Sequence, residues 1–390
     1  MTFKLSNRGD VPAFIVMDVL REANAREAAG EGVLHLEVGQ PGNPAPERIL
    51  KAARDAVDVG RIGYTDALGI PELRQAIAAH YRASYGIDLD PGRVVVTTGS
   101  SGGFLLSFLA AFEQGARVAL AAPGYPAYRN ILKALDIEPV LLETDLEHRF
   151  QPTPELLEGL EQPVDGLIVA SPSNPAGTML GDEELRALTD YCDANDIVLI
   201  SDEIYHGISF GGRAVSALEH SDRAVVVNSF SKYFCMTGWR LGWLVLPEDS
   251  VRPVERLAQN LFISAPTISQ YAGVAAFDCK EELDGIVANY ARSRELLLGA
   301  LPRAGFDRLA PADGAFYVYA DVSRLTNDSP DFCRRMLQEI NVATTPGVDF
   351  DPERGHRFVR FSFAGAHKEI AEATERLGDW LSGATKTRSA

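Results

Sequence analysis

From about residue 93 onward the chain alternates short, uncharged, β-rich runs with amphipathic stretches. The runs read RVVVTT, RVALAAP, EPVLLET, GLIVAS, IVLISDE, AVVVNSF and GWLVLP. Helical patterns lie between several of them, such as 182–194, where Asp182 is the expected N-cap and Glu183 and Glu184 fill the first turn. Strands apolar at nearly every position are buried on both faces, which predicts an α/β fold: a mostly parallel seven-stranded sheet sandwiched by helices. Upstream, Val11 to Ala29 reads as an amphipathic helix stopped at Gly30, and Pro71 opens another that runs to about Ser84. Beyond about residue 280 a long helix is followed by the shorter strands GAFYVYADV and HRFVRFSFA. A helix lies between them around 330–340, another closes the chain from about 367, and GATKTRSA is expected to be a loose end. These patterns divide the chain into a large α/β domain, residues 46–289, and a smaller α+β domain built from 1–45 and 290–390.

In open sheets of this kind, ligands gather beyond the carboxyl ends of the strands. TTGSSGG, SPSNPAGT, SDEIYHG and NSFSK all follow predicted strands at that same end. They are expected to converge on one cleft. Residues 94–112 carry no charge and approach the length of a membrane span, yet the polar, glycine-rich break from Thr97 to Gly103 divides them into strand, loop and helix.

Composition narrows the function. With 54 acidic against 37 basic side chains in 390 residues, the formal charge of −17 disfavours nucleic acid and anionic membrane as partners and leaves a small molecule. The four cysteines, Cys192, Cys235, Cys279 and Cys333, lack paired ligand spacing, and the histidines are scattered. Free thiols in a reducing cytoplasm and no metal are therefore expected.

NSFSKYFCMTGWRLGW (228–243) places Lys232 three residues after Ser229, with Arg240 eight further on. A solvated lysine at a turn is one reading. The other is an amine in a partly desolvated cleft, where burial and a nearby cation lower its pKa and make it a nucleophile toward a carbonyl. Glycine and hydroxyl residues in TGSSGG, at a strand-to-helix turn, present N–H groups to an anion, and Arg240 and Ser229 would add a charged fork and a hydroxyl. Asp202, an acid at the end of a buried strand, needs a cationic or proton-donating partner. Pyridoxal 5′-phosphate asks for all of these groups together: its phosphate, its protonatable ring nitrogen and its aldehyde each match one of them.

The ordered motifs EVGQPGNPAP, GYTDALGIPELRQAI, TTGSSGG, PGYPAYRN, SPSNPAGT, SDEIYHG, SFSKYFCMTGWRLGW and VRFSF span nearly the whole chain. In them the sequence resembles the class I/II aminotransferases of the aspartate aminotransferase superfamily, the type I fold of pyridoxal-phosphate enzymes. The resemblance implies that Lys232 holds the cofactor as an imine and then shuttles the substrate Cα proton, and that Asp202 pairs with the ring nitrogen. It implies that Tyr205 and Asn174 bond the phenolic oxygen and that Tyr128 stacks on the ring. The phosphate would be held by Ser229, Arg240, the Ser100, Ser101 and Gly102 backbone and, across a homodimer interface, Tyr64 of the second subunit. Arg360, helped by Asn174 and the Gly39 backbone, would take the substrate carboxylate.

Such an enzyme moves an amino group between an L-amino acid and a 2-oxo acid in a ping-pong cycle. Ser101 stands where some bacterial aspartate enzymes of the family carry a lysine for the distal carboxylate. That departure turns the expectation toward a neutral, aliphatic or aromatic donor with pyruvate or 2-oxoglutarate as acceptor. A carbon–sulfur β-lyase is the alternative on the same fold, and a non-catalytic ligand sensor a remote one.

Overall fold

The computed structural model describes residues 3–60 and 62–388. Near the start, α1 (Ile15–Ala28) leads to a two-residue strand β1 (Leu34–His35), then α2 (Glu47–Val59) and α3 (Pro71–Tyr85). The central region runs β2 (Val94–Thr97), α4 (Gly99–Ala111), β3 (Arg117–Ala122), α5 (Pro126–Ala134), β4 (Glu138–Glu143), α6 (Pro154–Glu158), β5 (Gly166–Ala170), α7 (Asp182–Ala194), β6 (Val198–Asp202), β7 (Val225–Ser229) and β8 (Gly242–Val245). Helices α8 (Glu248–Leu261), α9 (Thr267–Ala276) and α10 (Lys280–Ala304) follow. The last part comprises β9 (Arg308–Leu309), β10 (Tyr317–Asp321), α11 (Ser329–Ile340), β11 (Val342–Ala343), β12 (Thr345–Pro346), β13 (Phe358–Ser362) and α12 (His367–Arg388).

The seven expected runs form one sheet in the order β2-β8-β7-β6-β5-β3-β4. Strand β8 pairs antiparallel with both β2 and β7, whereas the pairs from β7 across to β4 are parallel. This reversal brings the beginning of β8 to the edge where β2 and β7 end: Gly242 lies opposite both Thr97 and Ser229. Arg240, two residues before Gly242, is thereby delivered to the same edge as Lys232.

Successive strand residues feed opposite layers, as the period of two requires. Ile168, Ile200, Val227 and Leu244 pack with Phe104 and Phe108 of α4, while Leu167, Val169, Val226 and Trp243 face the other layer. Each fully buried large apolar side chain contributes roughly 1.5–3 kcal/mol relative to an exposed one. The glycine-rich stretch expected as a loop is instead the first turn of α4. Gly103 lets that helix sit close on the sheet: a Cβ there would stand 3.2 Å from both Leu244 and Val227 side chains.

The C-terminal part forms its own antiparallel sheet, β12-β13-β10-β9, and β1 pairs with β11 in a separate two-stranded parallel sheet, Leu34 opposite Val342. Three local expectations change. Helix α1 starts at Ile15 and not at Val11. Gly181 takes the N-cap of α7, because the Glu184 carboxylate reaches back to accept its N–H at 2.6 Å, which moves Asp182 inside the helix. The expected loose end is helical through Arg388, and Ser389 and Ala390 lie outside the described residues. All four cysteines are buried and unbridged.

Candidate active site

At the carboxyl edge of the large sheet lies a cavity of about 400 Å³. Its lining contains Lys232, Arg240 and Arg360 against the lone carboxylate of Asp202 among the described residues, so an acidic chain presents a locally cationic pocket. Such a pocket attracts an anionic ligand.

Lys232 follows β7 on a turn that aromatic side chains hold from beneath. Phe230 packs 4.9 Å from Phe234 and 5.0 Å from Trp243, ring to ring. The lysine amine donates to the Gly39 carbonyl at 2.5 Å and lies 5.9 Å from the ring centres of Tyr205 and Phe316. Burial lowers its pKa from the usual value to about 8; Arg360 and Arg240 push the same way, and Asp202 opposes them. Lys232 is half-buried, which fits the partly desolvated amine and not the solvated one. Gly39 has no room for a side chain, because a Cβ would fall 1.8 Å from the Tyr317 hydroxyl.

Asp202 ends β6 and is 4% exposed. Tyr128 donates its hydroxyl to one carboxylate oxygen, and the Ile204 N–H donates to the other at 3.1 Å. Burial raises the carboxyl pKa to about 6 despite both donors. Tyr128, which lines the cavity, is thereby anchored, and it packs edge-to-face against Phe104 and Tyr125 with centroids at 5.0 and 5.2 Å. Tyr125, which carried no role in the sequence reading, is the less buried of the two tyrosines and also lines the cavity.

Tyr205 shares a 2.7 Å hydrogen bond with Tyr317, another residue that sequence reasoning passed over. His206, inside the quoted SDEIYHG, joins two motifs: its Nε2 meets the Ser171 carbonyl at 3.0 Å and its Nδ1 meets the Tyr85 hydroxyl at 2.7 Å. Burial drops its pKa to about 3, so the neutral ring donates through Nε2 and accepts through Nδ1. The loop carrying Asn174 is thus tied to the one carrying Tyr205.

Arg360 is 2% exposed and forms no ion pair among the described residues. One of its terminal nitrogens donates to Asn174 Oδ1 at 2.8 Å, and the other to the Glu37 carbonyl and to Thr345 Oγ1. Its plane lies between Tyr317 and Phe350, with ring centres at 4.3 and 4.7 Å, and its Nε has no hydrogen-bond partner. A buried guanidinium without a counter-charge is costly unless an anion completes it.

Arg240 adopts a left-handed backbone (φ 51°), and its guanidinium leans on the start of α4, where a Cβ at Gly99 would come within 2.5 Å of it. Thr98, the N-cap of α4, makes no side-chain capping bond, so the first N–H groups of that helix are left to another acceptor. Ser100 and Ser101 line the cavity here, together with Ser231 and Thr237.

Two expected residues do not reach the cavity. Ser229 is 1% exposed, with its hydroxyl engaged by the Leu241 carbonyl at 3.0 Å and by Ser231 at 2.9 Å. Gly102 is buried in α4, where Thr98 Oγ1 occupies the space a Cβ would take. Tyr64 also stands outside the cavity of its own chain, 84% exposed beside Ile62, on a segment bonded to Ser264 and Thr267.

One wall of the cavity has no signal in the motifs. Phe14, Val16, Met17 and Leu20, at the start of α1, join Val38 to make it apolar. They come from a helix whose sequence shows only amphipathicity, and only the folded chain brings them to the sheet edge.

Residues 31–377 match the family described as aminotransferase class I and II. The valine–pyruvate aminotransferase of Mycobacterium tuberculosis is 52% identical over 385 residues, covering 98% of this chain and 99% of that protein. A crystal structure of an aminotransferase from the same organism superposes with a TM-score of 0.96 at 51% identity, covering 98% of this chain and all of that one. The aspartate aminotransferase of Thermus thermophilus, solved with maleate, gives a TM-score of 0.89 at 31% identity over 97% of this chain and all of that one.

Proposed function

Since the chain belongs to the class I and II aminotransferase family and is an aminotransferase, we propose that it works with pyridoxal 5′-phosphate and exchanges the amino group between a neutral aliphatic L-amino acid and a short 2-oxo acid. The family generally uses that cofactor. The donor set fits it: an amine of lowered pKa, a buried carboxylate, and an arginine at an uncapped helix start. When bound, the cofactor supplies an aldehyde carbon to carry the amino group and a ring that draws electrons from the substrate Cα.

The chain's own residues then divide the work. Lys232 anchors the aldehyde and moves the proton at the substrate Cα; its lowered pKa leaves a useful neutral fraction near pH 8. Asp202, oriented by Tyr128 and Ile204, keeps the ring nitrogen protonated. Because Asn174 spends its carbonyl oxygen on Arg360, its amide N–H is free to join Tyr205 at the phenolic oxygen. Arg240 and the Ser100 and Ser101 N–H groups receive the phosphate at the positive end of α4, and Ser229 and Gly102 brace that turn. For the stacking face, the committed hydroxyl of Tyr128 favours Tyr125 as the residue that lies against the ring.

Arg360 carries the substrate reading. Its buried guanidinium, with no ion pair among the described residues, lines a cavity that also has an apolar wall, so a ligand with one carboxylate and an alkyl chain matches the lining. The lining offers no further cation for a distal carboxylate among the described residues. The name of the Mycobacterium tuberculosis relative, with valine as donor and pyruvate as acceptor, supports the same class.

The test is the visible spectrum of the purified holoenzyme with single amino acids and no oxo acid. L-Valine and similar donors bleach the yellow band stoichiometrically and pyruvate restores it. A clear preference for L-aspartate or L-glutamate would sink the aliphatic reading, and steady release of pyruvate and ammonia from cystathionine would favour the lyase.

The same reading makes the enzyme a homodimer. Ile62 and Tyr64 are exposed on a segment bonded to Ser264 and Thr267, near exposed Leu261 and Ile263 in sequence, a surface that would suit a second copy whose phosphate site Tyr64 would complete. Tyr64→Ala is expected to weaken cofactor affinity about tenfold, in keeping with a lost charge-assisted hydrogen bond. A fully active monomer at assay concentration would remove the assignment. Residues 46–289 and 1–45 with 290–390 are proposed as the two domains, supported by the pairing of Leu34 with Val342. Among the described residues no helix is long and apolar enough to cross a membrane; a cytoplasmic setting is proposed from the unbridged cysteines.

A further inference from the structure

The first turn of α1 contributes most of the apolar wall, yet nothing in its own sequence caps it. Its N-cap is Phe14, which has no side-chain acceptor. The acceptor comes from more than 300 residues away: Asp349 Oδ1 takes the Ile15 N–H and Oδ2 takes the Val16 N–H, each at 3.1 Å. Asp349 is fully buried, and its backbone carbonyl accepts from Arg129 at 2.6 Å. The next residue, Phe350, lies under the Arg360 guanidinium with its ring centre at 4.7 Å. A two-residue segment therefore touches both ends of the substrate space: the carboxylate fork through Phe350 and the side-chain wall through Asp349.

We infer that Asp349 is a specificity-determining positioning residue, which holds the start of α1 against the cavity and so sets how tightly the wall of Phe14, Val16, Met17 and Leu20 fits the substrate side chain. This rests on the aliphatic reading of the site given above. The physical basis is directional: two N–H groups bonded to two oxygens of one carboxylate fix both the position and the roll of the helix start, which a single bond would not. Only substrates long enough to reach the wall feel that constraint. L-Valine does, whereas the methyl group of L-alanine stays near Cα.

The experiment compares half-reactions of the holoenzyme with L-valine, L-alanine and L-aspartate for the wild type, Asp349→Ala and Asp349→Asn. Asp349→Ala is expected to lower kcat/KM for L-valine about tenfold, mainly through KM, from the size of a lost helix cap. For L-alanine the loss stays under about threefold on the same basis. Asp349→Asn keeps one oxygen acceptor and falls between. An equal loss for both donors, or an unchanged valine-to-alanine ratio, overturns the inference and leaves Asp349 a general support of the fold. If Asp349→Ala fails to retain the cofactor band, the Asn variant decides on the same ratio. A wild type that prefers L-aspartate defeats the aliphatic reading by itself; Asp349 is then judged on whether its variants change the ratio of long to short donors.

Discussion

Lys232→Ala lowers turnover by about 10³-fold or more, because one substitution removes both the nucleophile and the proton-transferring base. The protein still takes up pyridoxal phosphate, since Arg240, the start of α4 and Asp202 remain, but it releases the cofactor on dialysis. The quantities to measure are single-turnover bleaching with L-valine and cofactor retention. Turnover within a few-fold of the wild type would refute the assignment of Lys232. The wild type adds a pH signature. With the amine pKa lowered to about 8 by burial and by Arg360 and Arg240, capture of free pyridoxal phosphate by the cofactor-free enzyme accelerates as pH rises through that value. It then levels off once the amine is neutral, and a rate still climbing toward pH 10 would mean that the amine is not desolvated.

Arg360→Met lowers kcat/KM for amino donor and oxo acid alike by about 100-fold or more, the scale of losing one member of a buried hydrogen-bonded charge pair. Both substrates carry the carboxylate that completes the fork, so both half-reactions suffer. Stability moves otherwise. The guanidinium is buried with no ion pair among the described residues and an unpartnered Nε, so methionine removes a desolvation cost, but it also strands the Asn174 Oδ1 acceptor and loses the bonds to Glu37 and Thr345. These effects offset each other, so the melting temperature is expected to change little while activity collapses. Thermal denaturation beside steady-state kinetics for both substrates checks this. A fall in stability with intact kcat/KM would make Arg360 a structural residue.

Tyr205 and Tyr317 show where reading along the chain stops. Tyr205 belongs to one of the ordered motifs and lines the cavity. Its hydroxyl partner Tyr317 sits in GAFYVYADV, where alternating aromatics report only a strand, and nothing in that run says which aromatic faces the site. Ser229 shows the converse: it lies in the motif, but β8 pairs beside it and the Leu241 carbonyl claims its hydroxyl. Tyr128 likewise takes its direction from Asp202, a partner 74 residues away.

The sequence by itself determined the seven strands and their helices, the edge at which the motifs gather, and Lys232, Asp202, Asn174, Arg240 and Arg360 as candidates that line one cavity. The strands follow from local periodicity, Lys232, Asp202 and Arg240 from residue types that the chemistry asks for, and Asn174 and Arg360 from the family resemblance. Only the tertiary structure decided how those groups are aimed and what surrounds them: the missing counter-charge at Arg360, the hydroxyl on Asp202, and the apolar wall that Asp349 holds from across the chain. The physical reason is that hydrogen-bond direction, burial and clamping between distant segments depend on register and packing, which only long-range contacts establish.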